Sequence, residues 1–135
     1  MKHQINIPCE KTVLVVEDNH DRNEWFREHL GGLRFTIAAS PQRAENVLGA
    51  HRFDIVFLDH DAVPVFVDPT DPDFQSKTFF RIAEILAKTH YDGIVVIHSQ
   101  NPVGAQRMKY MLGRDATVHV MPFGTFDVTV GCQRD

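Results

Sequence analysis

The sequence predicts an α/β fold in which a parallel five-stranded sheet lies between two helical layers. Short apolar runs alternate along the chain with helical patterns, which is typical of consecutive βα units. Three of these runs, VLVV, IVFL and IVVI, are continuous and β-branched, as expected of strands buried on both faces. No GxGxxG follows the first run, which counts against a dinucleotide-binding fold. The spacing therefore predicts the flavodoxin-like strand order 2-1-3-4-5.

Each element has its own local signal. The predicted strands are residues 12–16, 35–39, 54–58, 93–97 and 117–121, and the second of them is the weakest because its apolar residues alternate with polar ones. The predicted helices are residues 21–30, 41–50, 76–88 and 101–112. Ser40 and Asn101 each precede a proline, which is the signature of an N-cap followed by proline at the first helical position.

Two segments depart from this regular pattern. Residues 61–74, DAVPVFVDPTDPDF, predict a long loop, and a loop of that length in a compact domain is usually functional. After the fifth strand the pattern is not helical, and residues 126–130 predict a short extra strand or a hairpin in place of a last helix. Without that helix we expect apolar sheet surface to be uncovered, which favours a partner chain or a homodimer.

Length and charge limit the functional classes. A chain of 135 residues predicts a single domain over residues 1–135. The net charge of −4 and the lack of a basic block argue against an extended nucleic-acid surface. The sequence has no apolar run long enough for a transmembrane helix and no apolar signal segment at its start, so we expect a cytoplasmic protein without membrane contact.

Carboxylates follow the first and third predicted strands. Glu17 and Asp18 come after the first strand, and Asp59 and Asp61 come after the third. Ligands of open parallel sheets bind beyond the carboxyl ends of the strands, so these four groups should meet at one edge. They would repel one another unless a cation neutralises them, which predicts a hard divalent ion, Mg²⁺ foremost. The alternative is that they cap helices, stabilise turns and face water.

The fourth strand is followed by the turn HSQNPVGAQ. His98 ends the strand, while Asn101 and Pro102 begin a helix whose N-terminal N–H groups favour an anion. The turn therefore predicts a phosphate site beside a general acid or base. A buried histidine without chemistry is the alternative for His98. His60 is a second candidate, unless strand alternation turns it away from the site.

These residues together resemble the receiver domains of two-component signalling over about residues 12–123. VEDN resembles the acidic pair after the first strand, DIVFLD the strand that ends in the phosphoacceptor, and MPF the Lys-Pro-Phe after the fifth strand. The resemblance implies that Asp59 is the phosphoacceptor and that Ser99 holds the hydroxyl position. The family's lysine is Met121 here, which has neither charge nor donor. Lys77 or Arg81, at the start of the third helix, could replace it as the phosphate contact.

A more specific resemblance is to the cyclic-phosphate-processing branch of receiver domains. LDHD together with HSQNPVGAQRM is similar to the paired motifs of that branch. The resemblance implies that Asp59 and Asp61 help to bind a metal ion, while His98, Ser99 and Asn101 handle the phosphate. It also implies a role in processing or sensing cyclic phosphate ends.

Three functional hypotheses follow. The first is a metal-dependent phosphoesterase, or cyclic phosphodiesterase, that acts on or senses a 2′,3′-cyclic phosphate of a small molecule or an RNA end. The second is a response-regulator receiver phosphorylated on Asp59 by a partner kinase. The third is a non-catalytic module that binds a partner.

Overall fold

The structure is a computed structural model that describes residues 2–60 and 79–131. Its strands, in chain order, are β1 (His3–Ile7), β2 (Thr12–Val16), β3 (Arg34–Ala38), β4 (Ile55–Leu58), β5 (Ile94–Ile97), β6 (Thr117–Val120) and β7 (Phe126–Val130). The helices in the described ranges are α1 (His20–His29), α2 (Pro41–Ala50), α3 (Phe80–Lys88) and α4 (Pro102–Leu112). None of the helices in these ranges is long and apolar enough to cross a membrane.

The main sheet has the predicted topology. Its five strands run in the order β3-β2-β4-β5-β6 and every neighbouring pair is parallel. This is the predicted 2-1-3-4-5 order, since the additional N-terminal strand moves each strand number up by one. The bounds of the five predicted strands differ from the observed ones by no more than one residue at either end. The weakly predicted second strand is confirmed as the edge strand β3.

The central strands are buried on both faces, as their continuous apolar runs predict. Along β2, Leu14 and Val16 pack in one core cluster with side chains of α2, α3 and α4. Val13 and Val15 pack in a second cluster with α1, β1 and β7. Because side chains alternate along a strand, the two clusters lie on opposite faces of the sheet. The fold therefore has three layers with the sheet in the middle.

The layer on the α1 side of the main sheet contains a strand, β1, that the sequence analysis missed. β7 is confirmed as a short strand, but it pairs in parallel with the unpredicted β1, from His3 opposite Phe126 to Ile7 opposite Val130. This two-stranded ribbon buries Ile7, Phe126 and Val128 against the sheet. The expectation of uncovered sheet surface is therefore wrong, because β1 and β7 cover the face that a last helix would cover. The homodimer stays a prediction, but uncovered sheet surface no longer supports it.

The helix starts follow from local capping. The Ser40 side chain accepts the Arg43 N–H at 3.2 Å, and Asn101 accepts the Gly104 N–H at 3.0 Å, as predicted. At α1 the cap is Asn19, which accepts the Arg22 N–H at 3.0 Å. The predicted loop 61–74 and the first residues of the predicted third helix, 76–78, lie outside the described residues.

Candidate functional site

The register of the sheet brings three reactive side chains to one level. Val16 pairs with Leu58, and Leu58 pairs with Ile97, so β2, β4 and β5 end together. The ladder continues for one more step, since the N–H of Asp59 donates to the Val16 carbonyl at 3.1 Å and that of His98 to Leu58 at 3.1 Å. The residues that follow these three strands form what we call the edge triad: Glu17, Asp59 and His98.

Strand alternation also places the edge triad on one face. Its members continue the rows of Val15, Phe57 and Val96, which face α1 and β7. One possible ligand atom from each triad residue lies within 4.8 Å of the other two. Glu17 and His98 are fully buried and Asp59 is 5% exposed. The triad is therefore a compact polar site enclosed by apolar packing.

Glu17 is held by several donors. Its Oε1 lies 2.9 Å from His98 Nε2, and its Oε2 accepts the N–H groups of Asp18 at 3.0 Å and Asn19 at 3.1 Å. Burial by itself raises the pKa of Glu17. The hydrogen bond and charge of His98, the N–H of Asn19 and the charge of Arg22 outweigh that effect and lower the pKa below its usual value. Glu17 therefore loses its proton at lower pH than an ordinary glutamate.

Asp59 has the opposite balance. Its Oδ1 accepts the His60 N–H at 2.8 Å. Burial first, and then the negative charge of Glu17, raise the pKa of Asp59 to about 6, although His98, the His60 N–H and Arg22 act in the other direction. Burial and the neighbouring carboxylate therefore both disfavour the charged form of Asp59, and a bound cation would offset these effects.

The proton of His98 has two alternative positions. The ring is enclosed by Phe26 at 5.3 Å and Phe123 at 6.4 Å between ring centroids. Its Nδ1 is buried and has no hydrogen-bond partner among residues 2–60 and 79–131. A proton on Nε2 lets His98 donate to Glu17, whereas a proton on Nδ1 leaves the Nε2 lone pair directed at the triad. Nε2 is therefore the atom through which His98 can act.

Arg22 is a site residue that the sequence analysis missed. Its Nη1 lies 3.4 Å from Glu17 Oε1 and 3.8 Å from Asp59 Oδ2. The guanidinium carbon lies 5.2 Å from the centre of the Phe123 ring. A signal was present, because Arg22 stands in the first turn of a helix that begins directly after the first acidic strand end. Its packing on Phe123, about a hundred residues later in the chain, could not be read from that spacing.

The other predicted residues are placed differently. The residues directly after the triad members are Asp18, His60 and Ser99, and alternation along an extended strand would place such neighbours on the opposite face of the sheet. The His60 ring packs against α4, where a Cβ at Gly104 would lie 2.5 Å from the ring. Asp18 is not in the group of ligand atoms formed by the edge triad. Asp61 and Lys77 lie outside the described residues.

The HSQNP turn is organised by local hydrogen bonds. The Ser99 Oγ accepts the Asn101 N–H at 2.9 Å, and Asn101 Nδ2 lies 3.4 Å from His60 Nδ1. At the start of α4, Pro102 has no N–H, and the Gly104 N–H donates to Asn101. The helix start therefore has fewer N–H groups for an anion than the sequence suggests, and Ser99 and Asn101 shape the turn that follows His98.

Of the two predicted replacements for the receiver lysine, the structure describes Arg81, and its charge is paired elsewhere. Met121 packs against the apolar cluster of α1, β1 and β7. Arg81 pairs with Glu45 of α2 at 3.2 Å, so its charge is paired at the surface between α2 and α3. Arg22 is the arginine or lysine that approaches both triad carboxylates within the described part of the chain.

Solved response-regulator receiver domains share this fold. The TrrA response regulator of Thermotoga maritima, solved in complex with Mg²⁺ and BeF, is 18% identical, with a TM-score of 0.60 over 84% of this chain and 89% of that one. A CheY-like receiver domain of Methanospirillum hungatei is 17% identical, with a TM-score of 0.58 over 85% and 84% of the two chains. The fold is therefore that of a receiver domain.

A family match makes the assignment more specific. The family model for the cyclic-phosphate processing receiver domain matches residues 12–114, and the chain belongs to this family. The matched segment contains the whole edge triad and Arg22. No curated protein is detectably similar to the chain in sequence.

Proposed function

We propose that the edge triad binds a divalent cation and that the site hydrolyses a phosphate ester, with a 2′,3′-cyclic phosphate as its substrate class. The observation that carries the proposal is the approach of two buried carboxylates and one imidazole to within 4.8 Å at the carboxyl edge of the sheet. Ligands of open α/β sheets bind at this edge. Membership of the cyclic-phosphate processing family supports the choice of substrate.

The donor set fits a divalent cation. Glu17 and Asp59 offer carboxylate oxygens, which Mg²⁺ and Mn²⁺ prefer, and His98 would keep Nε2 for proton transfer. Burial, and then the charge of Glu17, raise the pKa of Asp59, so a positive charge beside the pair would favour its ionised form. A bound cation would supply that charge and polarise a phosphoryl oxygen. The similar Thermotoga regulator, solved with Mg²⁺ and BeF, supports the same choice.

Side chains of the site would orient the imidazole, transfer the proton and exclude water. Before the cation binds, Glu17 orients the His98 ring through the 2.9 Å contact at Nε2. With the two carboxylates on the cation, Nε2 of His98 would be free to accept a proton from the attacking water and to return it to the leaving ester oxygen, so that one P–O bond forms and one breaks. The aromatic rings of Phe26 and Phe123 exclude bulk water from the far side of the imidazole.

Hydrolysis of 2′,3′-cyclic AMP with Mg²⁺ or Mn²⁺, followed by ³¹P NMR, tests the proposal. We expect a phosphomonoester product and a rate that falls by about 100-fold or more in His98→Gln, because that variant lacks the proton acceptor. His119→Gln, on the exposed edge strand β6, is the matched control and should retain the rate. Circular dichroism checks that both variants are folded. A rate in His98→Gln equal to that of the wild type would contradict the proposal.

A second candidate function is phosphotransfer to Asp59. It is favoured by the position of Asp59 at the end of β4 in a receiver fold. The apolar packing of Met121 speaks against it, because the receiver lysine is then missing from its usual place. Intact mass after incubation with Mg²⁺ and acetyl phosphate distinguishes the two functions. One added phosphoryl group, absent in Asp59→Asn, would make signalling the leading function.

A further inference from the structure

We propose that Arg22 is the residue that binds the phosphate anion, and that it exchanges the triad carboxylates for the phosphate when a divalent cation is bound. The proposal rests on the proposed function of the edge triad and extends it to a residue outside the triad. It gives the site the positive charge that Met121 does not provide.

The position of Arg22 is set by packing. Its backbone N–H is capped by Asn19, so the residue is fixed in the first turn of α1. Its guanidinium lies over Phe123, with 5.2 Å between the guanidinium carbon and the ring centre. The side chain is 26% exposed, whereas the side chains of Glu17 and Asp59 are 1% and 7% exposed. Arg22 therefore stands between the buried carboxylates and solvent, where a phosphate would enter.

The contacts of Arg22 with the carboxylates are loose. Both involve the same atom, Nη1, at 3.4 Å from Glu17 and 3.8 Å from Asp59. A strong pair between arginine and a carboxylate is bidentate, with distances of about 2.7–2.9 Å. Its hydrogen bond to Glu17 is made by Nη1 alone, at 3.4 Å. This geometry is more typical of a displaceable counter-ion than of a permanent salt bridge.

The net charge of Glu17, Asp59 and a bound cation would determine whether Arg22 contacts the carboxylates or a phosphate. Without a metal ion, Arg22 partly compensates the two carboxylates. A divalent cation on Glu17 and Asp59 would neutralise them and remove most of that attraction. The planar guanidinium presents donors in a fork that matches phosphate oxygens, and Phe123 would hold it at the site during the exchange. Metal binding and phosphate binding would therefore be coupled through one side chain.

This coupling predicts two effects of opposite sign for Arg22→Gln. Without the positive charge, the full chain should bind Mn²⁺ about two- to tenfold more tightly, because a competitor for the carboxylates is gone. The Mn²⁺-loaded variant should bind adenosine 3′-monophosphate about tenfold or more weakly than the loaded wild type. Arg22→Lys keeps the charge but not the fork, so it should recover the wild-type Mn²⁺ affinity and only part of the nucleotide affinity.

Isothermal titration of Mn²⁺, and then of adenosine 3′-monophosphate, measures both effects. Arg27→Gln is the matched control, because Arg27 lies on the same helix and pairs with Glu24 at the surface; both affinities should stay at wild-type values. Weaker binding of both ligands in Arg22→Gln would show a merely structural role and overturn the proposal. Tighter Mn²⁺ with unchanged nucleotide binding would also overturn it. A wild type that binds Mn²⁺ but no nucleotide would instead overturn the proposed function, and this proposal with it.

Discussion

Two aspartates flank β4 and behave in opposite ways. Asp54 precedes the strand, is exposed, and accepts the N–H of Thr12 at 2.9 Å and its hydroxyl at 3.1 Å. The backbone hydrogen bond and the further contacts of Asp54 lower its pKa. Asp59 follows the strand, is buried next to Glu17, and has its pKa raised to about 6. The same side chain is thus stabilised as an anion at one end of a four-residue strand and destabilised as an anion at the other.

The difference separates a carboxylate with a structural role from one for which we propose a functional role. Asp54 finds its donors within the fold and contributes to holding β2 beside β4. Asp59 is kept near a second carboxylate without enough positive charge, which a folded chain tolerates mainly where a ligand supplies the missing charge. At the carboxyl edge of the sheet, the proposed binding would therefore come at a cost in stability.

The largest effect should come from Asp59→Asn in metal-free protein. The folded-state pKa of Asp59 is raised, so its contribution favours folding while the group is protonated, at low pH, and is lost as pH rises through about 6. At pH 7.5 the neutral amide should increase the free energy of unfolding by roughly 1–3 kcal/mol. Near pH 4 the gain should vanish. Urea unfolding at the two pH values measures the difference, and equal stability of variant and wild type at pH 7.5 would break the comparison.

A smaller effect of opposite sign should come from Asp54→Asn. The pKa of Asp54 is lowered, so its contribution is present above the ordinary aspartate pKa and lost as pH falls. Because the group is exposed and screened by solvent, the variant should lose only about 0.5–1 kcal/mol at pH 7.5. Below the wild-type pKa the loss should disappear. The same urea experiment checks this, and a stabilised Asp54→Asn would show that the two ends of β4 do not differ as described.

Much of the fold could be predicted because its signals are local. Continuous apolar runs identify strands buried on both faces, and Ser40 and Asn101 mark helix starts by the chemistry of their own side chains. β1 could not be found in this way. HQINI alternates weakly, and its partner β7 lies at the other end of the chain, so pairing rather than propensity defines it.

The site was predicted in part for the same reason. Strand ends and parallel register bring Glu17, Asp59 and His98 to one edge, and the sequence analysis named all three. Asp18 was predicted to join this group, but it is not among the ligand atoms that the edge triad brings together. Arg22 depends on how α1 packs over Phe123, which is a tertiary contact without a sequence motif.

The central claim is that the edge triad is one cation site, and titration with Mn²⁺ followed by electron paramagnetic resonance of the free ion tests it most directly. The wild type should bind one tightly held ion per chain. Asp59→Asn should weaken that binding by about tenfold or more, because a first ligand is lost. Asp92→Asn, which removes an exposed partner of Arg52, should leave it unchanged. Equal Mn²⁺ affinity in Asp59→Asn and wild type, or no saturable binding at millimolar Mn²⁺, would contradict the account.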